Sequence, residues 1–458
     1  MLIADCCFRS LARRLLVSSN LFENLASRKL LSEMSGEKFE LPDRYKTVGN
    51  SVWNEFGQLA IEHKPLNLGQ GFPDFPAPAY VTKALADVAS GQEPLLHQYT
   101  RGFGHVRLVN ALSKLYSKLI GRPIDAFSEI LVTSGAYEAL FSCIGGHTRP
   151  GDEFIIIEPF FDCYEPMVLA AGGKPVYIPL RPKSTTSSGP TTSADWVLDL
   201  NELASKFNSN TKAIILNTPL NPLGKVFTKE ELTTIANLCK KWNTLCISDE
   251  VYEWMTYKPN KHVRIATLPG MWERTITIGS AGKTFSVTGW KLGWAYGPAK
   301  LMENLRIVHQ NCVYTCPTPI QEAVARSFEL EMTRLDSPDC FFNEISAILE
   351  PKRDFLVNAL THIGMKPVIP EGGYFVVADW TPLENSVNLS KETDKYKDYR
   401  FAKFLTKNIG LQGIPVSPFY SEPDKPLASN LIRFCFIKKD ENLQQAAKLL
   451  RDWKSSKL

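Results

Sequence analysis

The segment Ser280-Ala-Gly-Lys-Thr-Phe-Ser-Val-Thr-Gly-Trp-Lys-Leu-Gly293 decides how the rest of the chain is interpreted. It holds Lys283 and Lys291, with Ser280 shortly before the first lysine and several small residues between. The string Gly282-Lys-Thr284 suggests a phosphate-binding loop, but that motif needs an earlier glycine where Thr277 stands. The pair Ser280 and Lys283 also matches the serine–lysine motif of penicillin-recognising enzymes, but the companion motifs are missing.

Two interpretations of this segment remain open. A lysine can hold an aldehyde cofactor as a Schiff base, while Ser280 and Lys291 bind a phosphate group of that cofactor. The segment can equally be a surface loop that carries ordinary lysines. The segment alone does not separate the two, so the choice depends on its surroundings.

The composition is that of an ordinary globular protein. The chain has 458 residues, which favours one large domain and one smaller domain. Apolar residues make up 44% and charged residues 22%, and a formal charge of +4 is too small to indicate nucleic acid or lipid partners. No apolar run approaches the length of a membrane span. The 10 cysteines are scattered, which favours reduced thiols, and no metal site is expected.

Residues 1–34 differ from the rest of the chain. On a helical wheel, leucines and Phe8 share one side and Arg9, Arg13 and Arg14 the other. A basic amphipathic start of this kind is typical of a mitochondrial transit peptide, so we expect import into the matrix. The alternatives are a disordered leader, or a cytoplasmic protein whose translation starts at Met34.

Between residues 70 and 330, short apolar runs alternate with helical patterns. The run Phe154–Ile157 is fully apolar, as in strands buried on both faces. The clearest helix is Lys229–Trp242, with Thr228 as its N-cap. This alternation predicts a mostly parallel sheet between helices, an α/β fold. Further strands are predicted at Glu129–Thr133, Val176–Leu180, Ala213–Leu216, Leu245–Ser248 and Ile276–Ile278.

After residue 330 the pattern becomes α+β and predicts a second, smaller domain. It combines a helix near Glu344–Ile363, strands at Gly372–Ala378 and Leu431–Ile437, a helix near Tyr399–Asn408 and a final helix from Glu441. We therefore assign residues 35–70 to an N-terminal arm and part of the small domain. Residues 71–325 form the large domain, and residues 326–458 form the small domain.

Polar clusters occur where predicted strands end. In an open parallel sheet, ligands bind at the carboxyl ends of the strands. The small residues of one cluster would let backbone N–H groups and a helix dipole hold a phosphate. Because polar clusters occur at the ends of several strands, a shared binding site is a better explanation than a set of unrelated turns and helix caps. The clusters are Ser134–Tyr137, Asn217–Gly224, Ser248–Tyr252 and Ser280–Lys283.

Several long motifs resemble the type I fold of pyridoxal-phosphate aminotransferases. Within that family the chain is most similar to the kynurenine aminotransferase group, also called glutamine transaminase K and cysteine-S-conjugate β-lyase. The resemblance runs from about Lys38 to the C-terminus. The motifs are Asn67–Phe75, Glu158–Pro166, Asn221–Lys225, Ser248–Tyr252, Ser280–Gly293 and Ile432–Phe436.

The resemblance implies roles around pyridoxal 5'-phosphate. Lys283 is the lysine that bonds covalently to the cofactor, and Asp249 pairs with its ring nitrogen. Tyr252 and Asn221 hydrogen-bond the phenolic oxygen of the ring, and Phe161 stacks on its face. The phosphate contacts are Gly135, Ala136, Ser280, Lys291 and Tyr99. Because Tyr99 is similar to a tyrosine that reaches the neighbouring subunit, the resemblance also implies a homodimer with shared sites.

The resemblance further implies the substrates. Arg433 grips the α-carboxylate with help from Gly71 and Asn221, and Trp53, Tyr137 and Tyr314 line the side-chain pocket. The implied reaction is transamination of kynurenine and other aromatic, glutamine or sulfur-containing amino acids with 2-oxo acids. Kynurenine would give kynurenic acid, and cysteine-S-conjugate β-elimination would be a side reaction. The alternatives are an enzyme with β-elimination as its main reaction, or a non-catalytic cofactor-binding regulator.

Overall fold

The computed structural model describes residues 39–46, 51–183 and 190–456 of the chain. The chain divides into two units, Met1–Gly49 and Asn50–Leu458. The described part of the first unit contains one short helix, α1 (Asp43–Lys46). The predicted leader, residues 1–34, lies outside the described residues, as does Met34.

The second unit contains two main sheets and the helices that cover them. Its strands are β1 (Leu66–Asn67), β2 (Ile130–Thr133), β3 (Glu153–Glu158), β4 (Lys174–Pro179), β5 (Arg181–Pro182), β6 (Trp196–Val197), β7 (Thr211–Asn217), β8 (Leu245–Asp249), β9 (Thr275–Ser280), β10 (Gly293–Tyr296), β11 (Lys366–Val368), β12 (Phe375–Asp379), β13 (Leu411–Gln412), β14 (Ile414–Pro415) and β15 (Leu431–Cys435).

The helices of the second unit separate most of these strands along the chain. They are α2 (Val52–His63), α3 (Ala79–Ser90), α4 (Val106–Ile120), α5 (Gly135–His147), α6 (Tyr164–Ala170), α7 (Leu200–Lys206), α8 (Lys229–Trp242), α9 (Ala281–Thr284), α10 (Ala299–Cys312), α11 (Thr318–Thr333), α12 (Phe341–Ile363), α13 (Lys397–Phe404) and α14 (Asp440–Ser455). A membrane crossing needs a long, apolar helix, and none of the helices in the described ranges meets that requirement.

The large sheet has seven strands in the order β2-β10-β9-β8-β7-β3-β4. The strands from β9 through β8, β7 and β3 to β4 pair in parallel. The strand β10 runs antiparallel to both β2 and β9, so β2 has the same direction as the parallel strands. Sequence analysis predicted the parallel strands but missed β10, which is only four residues long.

The antiparallel strand β10 matters for the site because its first residue lies at the edge where the other strands end. Gly293 pairs with Ser280 at the end of β9 and with Thr133 at the end of β2. The residues just before β10 therefore reach the same sheet edge as the residues just after β2 and β9. This arrangement brings Lys291 beside the start of α5.

Helices cover both faces of the large sheet, as the apolar strands predicted. Along β3, Phe154 and Ile156 belong to one hydrophobic core together with residues of α5, α6 and α10, while Ile155 and Ile157 belong to the core on the opposite face. Because side chains of a strand alternate between its two faces, a strand buried on both must be apolar throughout. The predicted α/β architecture is confirmed.

The second sheet is antiparallel, in the order β11-β12-β15-β14, and α12 packs against β11, β12 and α14. The predicted helix near Tyr399–Asn408 is interrupted, since α13 passes into a π-helical turn at Leu405–Ile409. The strand β1, from the predicted N-terminal arm, pairs with β13 in parallel. The domain boundaries at residues 70 and 325 stay a prediction.

The helix α8 begins with the reciprocal cap that the sequence predicted. The hydroxyl of Thr228 accepts from the Glu231 N–H at 3.2 Å, and the Glu231 carboxylate accepts from the Thr228 N–H at 2.9 Å. We expect Thr228→Ala to lower the free energy of unfolding by about 1 kcal/mol, measured by denaturant titration, because it leaves an N–H group without its acceptor. The control is Thr233→Ala on the exposed face of the same helix, and an equal loss there would contradict the role of the cap.

Candidate active site

A cavity of about 360 Å³ opens at the carboxyl edge of the large sheet. Its wall combines strand ends, the start of α5, the loop before α3 and parts of the small sheet. The lining residues that sequence analysis singled out are Trp53, Gly71, Gly135, Ala136, Tyr137, Phe161, Asn221, Asp249, Tyr252, Ser280, Lys283, Lys291 and Arg433. The fold therefore brings together most of the candidate residues, which come from segments far apart in the chain.

Lys283 lies on the single turn α9, directly after β9. Its amine donates a hydrogen bond to the hydroxyl of Tyr374 at 2.6 Å and contacts the carbonyl oxygen of Gly71 at 3.5 Å. Removal from water lowers the pKa of this amine to about 8, and the nearby Arg433 and Lys291 act in the same direction. A lysine with such a pKa is neutral in about one molecule in ten near pH 7, far more often than an ordinary lysine, so its amine can serve as a nucleophile or base.

Asp249 is the last residue of β8 and is buried. The Tyr164 hydroxyl donates to its carboxylate at 2.7 Å, and the Val251 N–H approaches the other oxygen at 3.4 Å. Burial raises the pKa of Asp249 to about 6, although both hydrogen bonds and the charge of Lys283 oppose that rise. A cation placed against this carboxylate would lower its pKa again and hold it in the ionised form.

Small residues and one lysine form a cradle at the start of α5. This helix has no side-chain N-cap, so its first N–H groups are left to other acceptors. Gly293 permits the close approach, because a Cβ there would lie 2.5 Å from the Ala136 nitrogen. The ammonium of Lys291 lies beside Gly135, 3.5 Å from where a Cβ would be. The N-terminus of α5, the ammonium of Lys291 and the nearby Ser280 together form a suitable site for an anion.

Arg433 lies in the middle of β15 and is fully buried. It donates to the Asn221 side-chain oxygen at 2.9 Å and to the Gly69 carbonyl at 3.0 Å, while its Nε has no partner among the described residues. Its guanidinium lies over the rings of Phe375, Trp53 and Phe419 at 3.9, 5.2 and 5.0 Å from the centroids. Burial lowers its pKa to about 10, so Arg433 stays charged at neutral pH.

Aromatic side chains form the remaining wall. The indole N–H of Trp53 donates to the half-buried Asp162 at 2.8 Å, which fixes the ring in place. Tyr137 is half-exposed and meets Phe161 edge-on, with 6.4 Å between ring centroids. Tyr252 is buried, and burial raises the pKa of its phenol, so it stays protonated.

Two candidate residues lie away from the cavity wall of this single chain. Tyr99 is 83% exposed and Tyr314 is 59% exposed, and their rings meet edge-on at 5.8 Å. Neither side chain lines the cavity in this chain. Both roles stay predictions.

Sequence analysis assigned no role to three residues that touch the site. Tyr374 contacts Lys283, Tyr164 contacts Asp249, and Asp162 holds Trp53. Tyr164 and Asp162 lie in the motif Glu158–Pro166, and Tyr374 follows two glycines just before a strand. The sequence therefore gave only a weak indication that these residues belong to the site. The partner of each one is at least 85 residues away, beyond the reach of a local pattern.

Comparisons with known proteins identify the family. Residues 63–450 match the family model described as aminotransferase class I and II. The human kynurenine--oxoglutarate transaminase 3 is 51% identical, covering 98% of this chain and 99% of its own length. The human kynurenine--oxoglutarate transaminase 1 is 48% identical, covering 90% and 97%.

Among solved structures, Bna3p from Saccharomyces cerevisiae superposes with a TM-score of 0.83 at 34% identity. The match covers 91% of this chain and 99% of that one. The fold, the cavity lined by the predicted site residues and the full-length matches agree. This chain belongs to the class I and II aminotransferase family and is an aminotransferase.

Proposed function

We propose that this chain transfers the amino group of kynurenine to a 2-oxo acid, with pyridoxal 5'-phosphate as its cofactor. Other aromatic, glutamine and sulfur-containing L-amino acids are further donors. The observation that carries the proposal is the convergence of Lys283, Asp249 and Arg433 on one cavity. The relatives named kynurenine--oxoglutarate transaminases support the choice of donor.

The side chains and backbone groups that line the cavity fit pyridoxal phosphate. The lowered pKa of the Lys283 amine favours a covalent bond to an aldehyde. The buried Asp249 carboxylate can pair with a protonated ring nitrogen. The uncapped α5 N-terminus at Gly135 and Ala136, with Ser280 and Lys291, suits a phosphate. Phe161 offers a flat face to the ring, and Tyr252 and Asn221 offer polar groups to its phenolic oxygen.

Different residues of the chain would then carry out different parts of the transamination. Bound in the cavity, the cofactor supplies an electron sink for the carbon that loses its proton. Asp249 keeps the ring nitrogen protonated, since an adjacent carboxylate raises the pKa of a base. The Lys283 amine takes the Cα proton of the substrate and later gives it up, as a general base and acid.

Arg433 and the aromatic wall select the substrate. A guanidinium can bind a carboxylate through two parallel hydrogen bonds, and Arg433 is the arginine in the described cavity wall. Without a second arginine in that wall, a side-chain carboxylate has no matched partner. Trp53, Tyr137 and Phe161 instead favour flat or apolar side chains. With a good leaving group at Cβ of the substrate, the same site would support β-elimination as a side reaction.

The central test is Lys283→Ala in the purified full chain. We expect turnover of kynurenine with a 2-oxo acid to fall by at least about 10³-fold, because the variant has no amine to act as base or nucleophile. Steady-state assays with kynurenine, glutamine, phenylalanine and cysteine conjugates would rank the donors. The control is Lys300→Ala on the exposed surface of α10. Full turnover by Lys283→Ala would overturn the proposed function.

Arg433→Lys tests recognition of the α-carboxylate. Lysine keeps the charge but cannot form the two-pronged contact, so we expect kcat/KM for phenylalanine to fall about 10- to 100-fold. The matched control is Arg353→Lys, an arginine that also lies over an aromatic ring, Tyr257, but outside the cavity wall. Equal losses in both variants would speak against a specific carboxylate site.

We also propose a homodimer in which Tyr99 of one subunit reaches the cofactor phosphate of the other. The high exposure of Tyr99 and Tyr314 in a single chain supports this assembly. We expect a sedimentation mass of two chains. Mixing Tyr99→Ala chains with Lys283→Ala chains, followed by subunit exchange, should restore up to about a quarter of wild-type turnover. Restoration occurs because one site of each hybrid dimer receives both intact residues. No gain above the unmixed variants would contradict site sharing.

The mitochondrial matrix is the proposed location of the protein. The basic amphipathic pattern of residues 1–34 supports it. Mass spectrometry of the protein from intact cells would show whether these residues have been removed.

A further inference from the structure

The amine of Lys283 has one close polar partner among the described residues, and it is not a carboxylate. It donates to the Tyr374 hydroxyl at 2.6 Å, whereas the Gly71 carbonyl lies at the outer limit of a hydrogen bond, 3.5 Å away. Asp249 attracts Lys283 only through space, without an ion pair between them in the described part of the chain. The orientation of the amine therefore depends mainly on Tyr374.

Tyr374 is held so that its oxygen lone pairs face Lys283. Its hydroxyl can donate to the carbonyl oxygen of Gly71 at 2.9 Å, and the Tyr252 hydroxyl is a second hydrogen-bond partner. The side chain is 1% exposed, and burial raises the pKa of the phenol well above its usual value, so it stays neutral. When its proton points to Gly71 or to Tyr252, the neutral hydroxyl accepts a hydrogen bond from the Lys283 amine.

The backbone around Tyr374 is fixed. Gly373 has a φ of +69°, and its N–H donates to the Met255 carbonyl oxygen, while Phe375 begins β12. The ring of Tyr374 meets that of Tyr252 edge-on at 5.1 Å. The Lys283 nitrogen lies 5.3 Å from one ring centroid and 5.7 Å from the other. The two rings and the hydroxyl leave the amine little freedom to rotate.

We propose that Tyr374 is a positioning residue, whose hydroxyl holds the Lys283 amine by one N–H whenever that amine is not covalently bonded. Anchoring one N–H restricts the nitrogen lone pair of the neutral amine to the two remaining staggered directions. The lone pair can then face the cavity, from which the substrate's Cα proton arrives. Tyr374 gains and loses no proton in this process. The inference rests on the proposed function, in which Lys283 takes up that proton.

Tyr374 is not part of the cavity wall. Its removal should therefore leave the binding of amino acids nearly unchanged and act on the chemical step. We expect Tyr374→Phe to lower kcat about 10- to 100-fold, because a misplaced base loses part of its contribution, while KM for the amino donor stays within about threefold. Deuterium at the substrate's Cα should slow the variant more than the wild type, since proton transfer becomes the slow step.

A second measurement does not depend on turnover. In the full chain stripped of cofactor, acylation of Lys283 by an excess of acetic anhydride, quantified by mass spectrometry across pH, reports the pKa of the amine. The Tyr374 oxygen accepts from the amine and so favours its charged form. Without that oxygen the charged form loses a partner, and the midpoint should move to lower pH than in the wild type.

The matched control is Tyr257→Phe. The Tyr257 hydroxyl is also buried and donates to the carbonyl oxygen of Gly373, but it does not touch Lys283. We expect Tyr257→Phe to leave the acylation midpoint unchanged and kcat within about threefold of the wild-type value, with thermal unfolding measured for both variants.

Three outcomes are distinguishable. A lower kcat with a lower midpoint in Tyr374→Phe alone supports the inference. Wild-type kcat and midpoint in Tyr374→Phe, or equal changes in Tyr257→Phe, overturn it while leaving the proposed function intact. Turnover that survives Lys283→Ala overturns the proposed function itself, whatever the midpoint does.

Discussion

The parallel pairing of β7, β8 and β9 is the constraint on which the site depends. Asn217 pairs with Asp249, and Asp249 pairs with Ile278 two residues before the end of β9. This register places three strand ends side by side, each continuing directly into a polar cluster. A shift by one residue would turn every strand side chain to the opposite face. The buried apolar faces therefore fix the register, and the register fixes the distance between Asp249 and the segment that carries Lys283.

Burial gives the charged groups of the cavity their chemistry. Withdrawal from water lowers the pKa of Lys283 to about 8 and raises that of Asp249 to about 6. Both shifts move the groups towards their neutral forms, which suits a cavity built to receive a charged ligand. Arg433 resists the same effect because its guanidinium is intrinsically basic and has two acceptors and three aromatic rings around it. The fold thus keeps a permanent cation for a carboxylate beside a lysine that can lose its charge.

Much of the fold could be predicted from the sequence because its strands are buried on both faces. The apolar runs of β3, β7, β8 and β9 stand out against amphipathic helices such as α8, whose cap lies where Thr228 indicated. The short strand β10 was missed, since four residues carry little periodic signal and its partners are remote. The exposed position of Tyr314 was not predicted either, because no local pattern reports the surface that a residue reaches.

By itself, the sequence determined the layered α/β fold, the family and the residues at the strand ends. These features follow from local apolar patterns and from long motifs. Only the tertiary structure decided which atoms meet: Tyr374 with Lys283, Tyr164 with Asp249, and the aromatic rings around Arg433. Such pairs join segments that are far apart in the chain, and their geometry depends on how those segments pack in the folded core. Hydrogen-bond direction is therefore a property of the packed core, which no local pattern of residues encodes.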